Sequence, residues 1–164
     1  MMSSTPFQTN GKGFTLVELL VIIAILGVIT MIALPDVVGT ILPAYRLKGA
    51  TSDIMTDMRY ARMRAASLNK EYRITFTVGS EEYQIEQGNL SSGSTSWTQE
   101  GIVRSFADTD NSYYHTGIDI VSVTSNPVYF KPTGTMTATT ITLQNEKGKT
   151  VEITSSIAGR IKVE

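Results

Sequence analysis

Residues Phe14 to Leu34 read FTLVELLVIIAILGVITMIAL, an unbroken apolar run carrying one charge, Glu18. Thr15, Gly27 and Thr30 are its other non-apolar members. Coiled at ~1.5 Å per residue, the run reaches ~31 Å, about one bilayer hydrocarbon core. A secretory signal would have a shorter apolar stretch of ~7–15 residues followed by a small-residue cleavage site. Here the run passes straight into Pro35-Asp36. The pattern therefore predicts a transmembrane helix over 14–34. A carboxylate inside such a helix costs a few kcal/mol and marks function, which singles out Glu18. Ahead of the run stands a short polar leader, MMSSTPFQTNGKG, whose only charged side chain is Lys12.

The junction between leader and run is Lys12-Gly13-Phe14-Thr15-Leu16-Val17-Glu18. It resembles the processing site of type IV pilins and type II secretion pseudopilins: a basic leader ending in Gly, then Phe, then Glu at the fifth mature position, then an apolar helix. The resemblance implies that a prepilin peptidase removes residues 1–13 by cutting between Gly13 and Phe14, and that Phe14 is then N-methylated. Cleavage creates an ammonium at Phe14, four positions before Glu18. A charge buried without a partner is strongly unfavourable. In an apolar filament core, the Phe14 ammonium and the Glu18 carboxylate of neighbouring subunits would neutralise each other. Glu18 is thus the candidate for subunit register and assembly.

Beyond the run, residues 35–70 read as an amphipathic helical stem. Pro35 has no amide hydrogen and crowds the preceding turn, which predicts a kink there, and Pro43 a second bend. Leu47, Ala50, Ile54, Met58, Ala61, Ala65 and Leu68 recur at steps of three and four, one helical face. Arg46, Lys48, Asp53, Asp57, Arg59, Arg62, Arg64 and Lys70 fall on the others. Asn69 suits a helix stop.

Residues 71–164 read as a small antiparallel β-domain. Tyr72, Ile74, Phe76 and Val78 alternate with Arg73, Thr75 and Thr77, the period of a half-buried strand. Gly79-Ser80 makes a turn into a partner strand at Tyr83 and Ile85. Residues 87–101 read as a polar loop holding the one tryptophan, Trp97. Further strands are expected near 102–106, 118–123, 128–130, 141–143, 151–154 and 161–163, with a hairpin turn at Lys147-Gly148. The fold class is α+β, a long N-terminal helix packed on an antiparallel β-domain. Phe130-Lys131-Pro132-Thr133-Gly134 and, near the end, Gly159-Arg160-Ile161 look like the GspH/FimT group of minor pseudopilins.

Composition narrows the chemistry. The chain has 164 residues, no Cys, one His (His115) and a formal charge of −1. Disulfides, thiolate metal sites and thiol nucleophiles are excluded. Residues 35–70 are net basic and 71–164 net acidic. The near-neutral total argues against nucleic-acid binding, which rests on phosphate contacts from a basic surface. Arg59, Arg62 and Arg64 form the one dense basic cluster, read as a face toward solvent or an acidic partner. Asp108, Asp110, Asn111 and Asp119 suggest a calcium loop. Tyr113 stands where an EF-hand needs Gly, and Asp119 where it needs Glu, so a polar loop is the better reading. No nucleophile elbow or phosphate loop is visible. The chain therefore reads as a structural subunit, with no catalytic, metal or cofactor residues.

The resemblance implies a minor pseudopilin that helps initiate or cap a type II secretion pseudopilus and so supports protein secretion. It would sit in the inner membrane as a single-pass protein with the β-domain in the periplasm, then enter the pseudopilus. The implied partners are other pseudopilins or pilins through the N-terminal helix, the prepilin peptidase, the inner-membrane assembly platform and, before assembly, the lipid bilayer. The alternative is a minor pilin of a type IV pilus, with FimT-like DNA capture.

Overall fold

The computed structural model describes residues 13–36, 39 and 41–164. The expected leader over 1–12 lies outside them, as do the side chains of 33–36, Pro35 included. The chain divides into two units, one ending at Val38 and the other running from Gly39 to Glu164.

The first unit is helix α1, Leu16–Asp36. Its start follows from Thr15, whose Oγ1 accepts the Glu18 amide at 3.2 Å while its carbonyl accepts the Leu19 amide at 3.1 Å. Thr15-Leu16-Val17-Glu18 is the T-x-x-E pattern of a capping box. Pro35 sits in the last turn of α1, and the helix reaches one residue beyond it. The side chains from Leu16 to Ile32 are exposed on every face, the large apolar ones from Met31 at 80% to Ile22 at 44%. Among the described residues no helix is long and apolar enough to cross a membrane.

The second unit is built on helix α2, Leu42–Leu68. Pro43 lies at the start of α2. It occupies the first turn, where its missing amide has no intrahelical acceptor anyway. At the other end Asn69 adopts the left-handed conformation (φ 52°, ψ 44°) as the stop. The buried stripe is Leu47, Ala50, Ile54, Met58, Ala61 and Ala65. Two positions depart from the expected pattern. Leu68 is 41% exposed, because it falls in the last turn, past the sheets. Asp57, expected on a polar face, is buried.

Two antiparallel sheets cover α2. One comprises β1 (Tyr72–Thr77), β2 (Glu82–Gly88), β3 (Trp97–Gln99), β4 (Arg104–Ser105) and β6 (Val128–Phe130). Its order is β3-β2-β1-β6, with β4 also on β2. The other runs β5-β7-β8-β9, from β5 (Ile118–Val123), β7 (Thr139–Asn145), β8 (Thr150–Ser155) and β9 (Ile161–Val163). Tyr72, Ile74 and Phe76 of β1 point inward with Tyr83 and Ile85 of β2, as the alternation requires. Ile118, Ile120, Ile141, Leu143 and Ile153 do the same in the second sheet, and α2 packs on strands of both.

The expected loop over 87–101 contains β3, whose Trp97 pairs with Gly88. Its polar residues Thr98 and Gln99 are exposed, so they carry no buried-face alternation. The strand expected over 102–106 shrinks to β4. Ile102 is 55% exposed while Arg104 and Ser105 are buried. Asn126 extends the β1–β6 ladder with its side chain, accepting the Phe76 amide (3.0 Å) and donating to the Phe76 carbonyl (2.8 Å). The Lys147-Gly148 turn forms as expected. Asn145 Oδ1 accepts the amides of Lys147 and Lys149, and Gly148 takes φ +77°.

Candidate functional site

Residues Gly13, Phe14 and Thr15 are not helical, and the helix begins at Leu16. The Gly13–Phe14 peptide thus lies in uncoiled chain immediately before a capped helix. Phe14 is 78% exposed, and a Cβ added at Gly13 would meet nothing within 4 Å. Glu18 is also exposed, in the first helical turn. A carboxylate there opposes the positive end of the helix dipole, so Glu18 has a local stabilising role that the sequence reading missed. The T-x-x-E spacing was the available signal. Thr30 donates to the carbonyls of Leu26 (3.0 Å) and Gly27 (2.9 Å), so its hydroxyl needs no outside partner in an apolar environment.

On the globular unit the three-arginine cluster separates into three roles. Arg59 is exposed. Arg62 donates from Nε to the Gly134 carbonyl (2.8 Å) and from a terminal nitrogen to the Gly159 carbonyl (2.9 Å). Arg64 pairs with Glu100 at 3.0 Å. Gly134 and Gly159 both hold positive φ (+82° and +80°). A Cβ at Gly159 would lie 2.5 Å from the Arg62 guanidinium carbon and 2.6 Å from the Gly134 carbonyl oxygen. Gly134 and Gly159, the glycines of the two GspH/FimT-like motifs, are therefore one structure, closed by an arginine expected to face outward.

Glu100 collects three donors: the Tyr60 phenol (2.5 Å), the Tyr72 phenol (2.5 Å) and Arg64. Burial works to raise its pKa, but these bonds outweigh burial and hold it below the usual carboxylate range. Burial first, then the bond to Glu100, pushes the Tyr72 phenol up to about 12. Deeper, Asp57 accepts the Tyr83 phenol (2.8 Å) and lies 2.6 Å from Arg104 Nε. That nitrogen makes no hydrogen bond, so the contact is an ion pair without hydrogen-bond geometry. Burial raises the pKa of Asp57 despite both partners. Glu81 accepts the Ile120 amide, tying the β1–β2 turn to the edge strand of the other sheet.

The remaining candidates resolve into packing. His115 Nε2 sits 2.7 Å from Asp53, edge-on to Phe106, with its ring against Gly49. Asp108 and Asn111 accept the amides of Asp110 and Tyr113, as turns. Asp119 stands exposed on β5. Among the described residues no group of three or more His, Asp or Glu comes together to hold a metal ion. Trp97 lies under the Arg73 guanidinium (4.4 Å) beside Tyr129 (5.7 Å), covering the Arg73–Glu86 pair (2.7 Å) on the sheet's outer face.

A capped apolar helix and a two-sheet α+β unit define a pilin-like protein. Residues 50–159 match the family model described as type II transport protein GspH, and residues 9–34 match the prokaryotic N-terminal methylation motif. The chain belongs to the GspH family. Among solved structures it is similar to GspH of E. coli (13% identity, TM-score 0.58, 75% of this chain and 90% of that one). It is also similar to the minor pseudopilin EpsH of the type 2 secretion system of Vibrio cholerae (10%, 0.56, 73% and 96%). The type IV minor pilin FimU of Pseudomonas aeruginosa shares the fold as well (17%, 0.53, 74% and 90%). No curated protein sequence matches the chain.

Proposed function

We propose that this chain is a minor pseudopilin that is cut between Gly13 and Phe14, N-methylated at Phe14, and built into a type II secretion pseudopilus that it helps to initiate or cap. The observation that carries this reading is the junction itself: uncoiled chain at Gly13–Phe14 abutting a Thr15-capped helix that is apolar on every exposed face. A peptidase needs extended substrate, and an all-round apolar helix needs an apolar environment. Before assembly that environment is the inner membrane, with the β-domain in the periplasm. After assembly it is the filament core, where Glu18 meets a neighbour's Phe14 ammonium. Pro35, at the end of α1, is the natural place for the helix to kink. The role is structural, with other pseudopilins, the peptidase and the assembly platform as partners.

Mass spectrometry of the protein from a host with a prepilin peptidase tests the processing step. The expected N-terminus is N-methylated Phe14. A full-length chain retaining the leader in that host would refute it. The type IV pilus reading draws on the FimU likeness in fold. DNA capture has less support, since Arg62 and Arg64 of the one dense basic cluster are committed inside the unit. Salt-sensitive binding of duplex DNA, abolished by Arg160→Ala with Lys162→Ala, would revive it.

A further inference from the structure

The globular unit holds an unassigned surface around the start of α2. At the start of α2, Ile41 (45%), Leu42 (38%) and Tyr45 (68%) are exposed although all three are large and apolar. Tyr45 borders a hollow lined by Ala44, Leu47, Lys48, Lys149 and Val151. Lys48 comes from α2 and Lys149 from the β7–β8 turn, far apart in sequence, and both are exposed. Arg46 and Lys147 belong to the same two segments, and among the described residues no carboxylate lines the hollow. Aliphatic side chains, one tyrosine and convergent lysines form the composition of a membrane–water interface. There an amphipathic ring sits at headgroup depth and lysine stems lie along apolar surface with their charges toward phosphate.

Chain reach argues for that occupant. Ile41 follows Leu34 by so few residues that even fully extended chain keeps it within ~25 Å of the end of the apolar run. If that run is inserted, as proposed above, on which this inference rests, the hollow is held near the bilayer surface. We infer that Tyr45, Lys48 and Lys149 form a docking surface for anionic lipid headgroups, which seats the globular unit on the bilayer before assembly. Leaving the bilayer would then require breaking these contacts, a step separate from extracting α1.

The test uses the full chain carrying Tyr45→Trp, read against the unmodified chain so that Trp97 emission cancels. It is reconstituted into vesicles whose acyl chains are brominated, either phosphatidylcholine alone or with phosphatidylglycerol. The expected result is quenching of the added Trp with phosphatidylglycerol, reduced in high salt and in phosphatidylcholine alone. Adding Lys48→Gln and Lys149→Gln should weaken the docked state about fivefold per lysine, the usual worth of one basic residue at an anionic surface. Quenching equal in both lipids, or unchanged by the two Lys→Gln substitutions, would overturn the docking surface while leaving the anchor standing. A chain that fails to float with either vesicle would overturn the anchor and the docking surface together.

Discussion

Gly159→Ala is the sharpest test of how the β-domain is pinned to α2. Gly159 has φ +80°, so any L side chain there is strained, by about 1 kcal/mol. The new methyl would also stand 2.5 Å from the Arg62 guanidinium and 2.6 Å from the Gly134 carbonyl. Arg62 can swing away, but then its bonds to the Gly134 and Gly159 carbonyls are lost. Bonds from a charged donor are worth ~1.5 kcal/mol each at the lower end, suited to a half-buried arginine. The Gly134 oxygen belongs to the backbone and cannot move alone, so the loop before β7 must shift too. The sum is a loss of ~4 kcal/mol or more. Gly93→Ala is the control, because Gly93 has φ +68° and open space around it, so only the ~1 kcal/mol strain applies. Urea unfolding of the full chain in detergent micelles, followed by Trp97 emission, measures both. Trp97 reports on the globular unit because it is held between Arg73 and Tyr129. Equal losses for Gly159→Ala and Gly93→Ala would refute the clamp. In the Arg62→Ala background, Gly159→Ala should cost less than alone, since the two Arg62 bonds are already gone and only the strain at Gly159 and the contact with the Gly134 carbonyl remain.

Four further outcomes are expected. Asp57→Leu should destabilise by ~3–5 kcal/mol by stranding Arg104 beside Tyr83, and adding Arg104→Met should recover part of that loss in the same urea assay. Glu100 is held below its ordinary value of 4.5, so its contribution is present above that pH and fades as pH falls through the lower folded value. Acid unfolding of Glu100→Gln should accordingly be shallower than that of the unmodified chain over this window, and parallel curves would count against the three-donor site. The Tyr72 phenol contributes in the opposite sense: its share is present below pH 10 and lost as pH rises toward about 12, which Tyr72→Phe should remove from alkaline titrations. Glu18→Ala should leave membrane insertion intact while reducing co-purification with partner pseudopilins, and undiminished co-purification would refute the pairing with Phe14.

The parts legible in sequence were those whose cause is local. The apolar run, the T-x-x-E start, the Asn69 stop and the three-four stripe of α2 each follow from residues within a turn or two. β1, β5, β6, β8 and β9 were visible because period-two alternation signals one buried face. β3 was not, since its polar residues are held by backbone pairing with β2, and β4 is too short to show a period.

Tertiary structure decided everything that required distant residues to meet. Asp57, Glu100 and Arg62 all look like solvated charges in sequence. Each proves to be the centre of a polar junction whose partners lie up to about a hundred residues away, from Tyr83 and Arg104 to Gly159. A charged residue carries no periodic signal of its own burial. Only chain closure brings in the donors and acceptors that offset its desolvation. The N-terminal motif stands at the other extreme. The processing proposed for it needs a small residue before the cut, a carboxylate four positions after the new amine and an apolar helix, and contiguous chain supplies all three without any long-range fold.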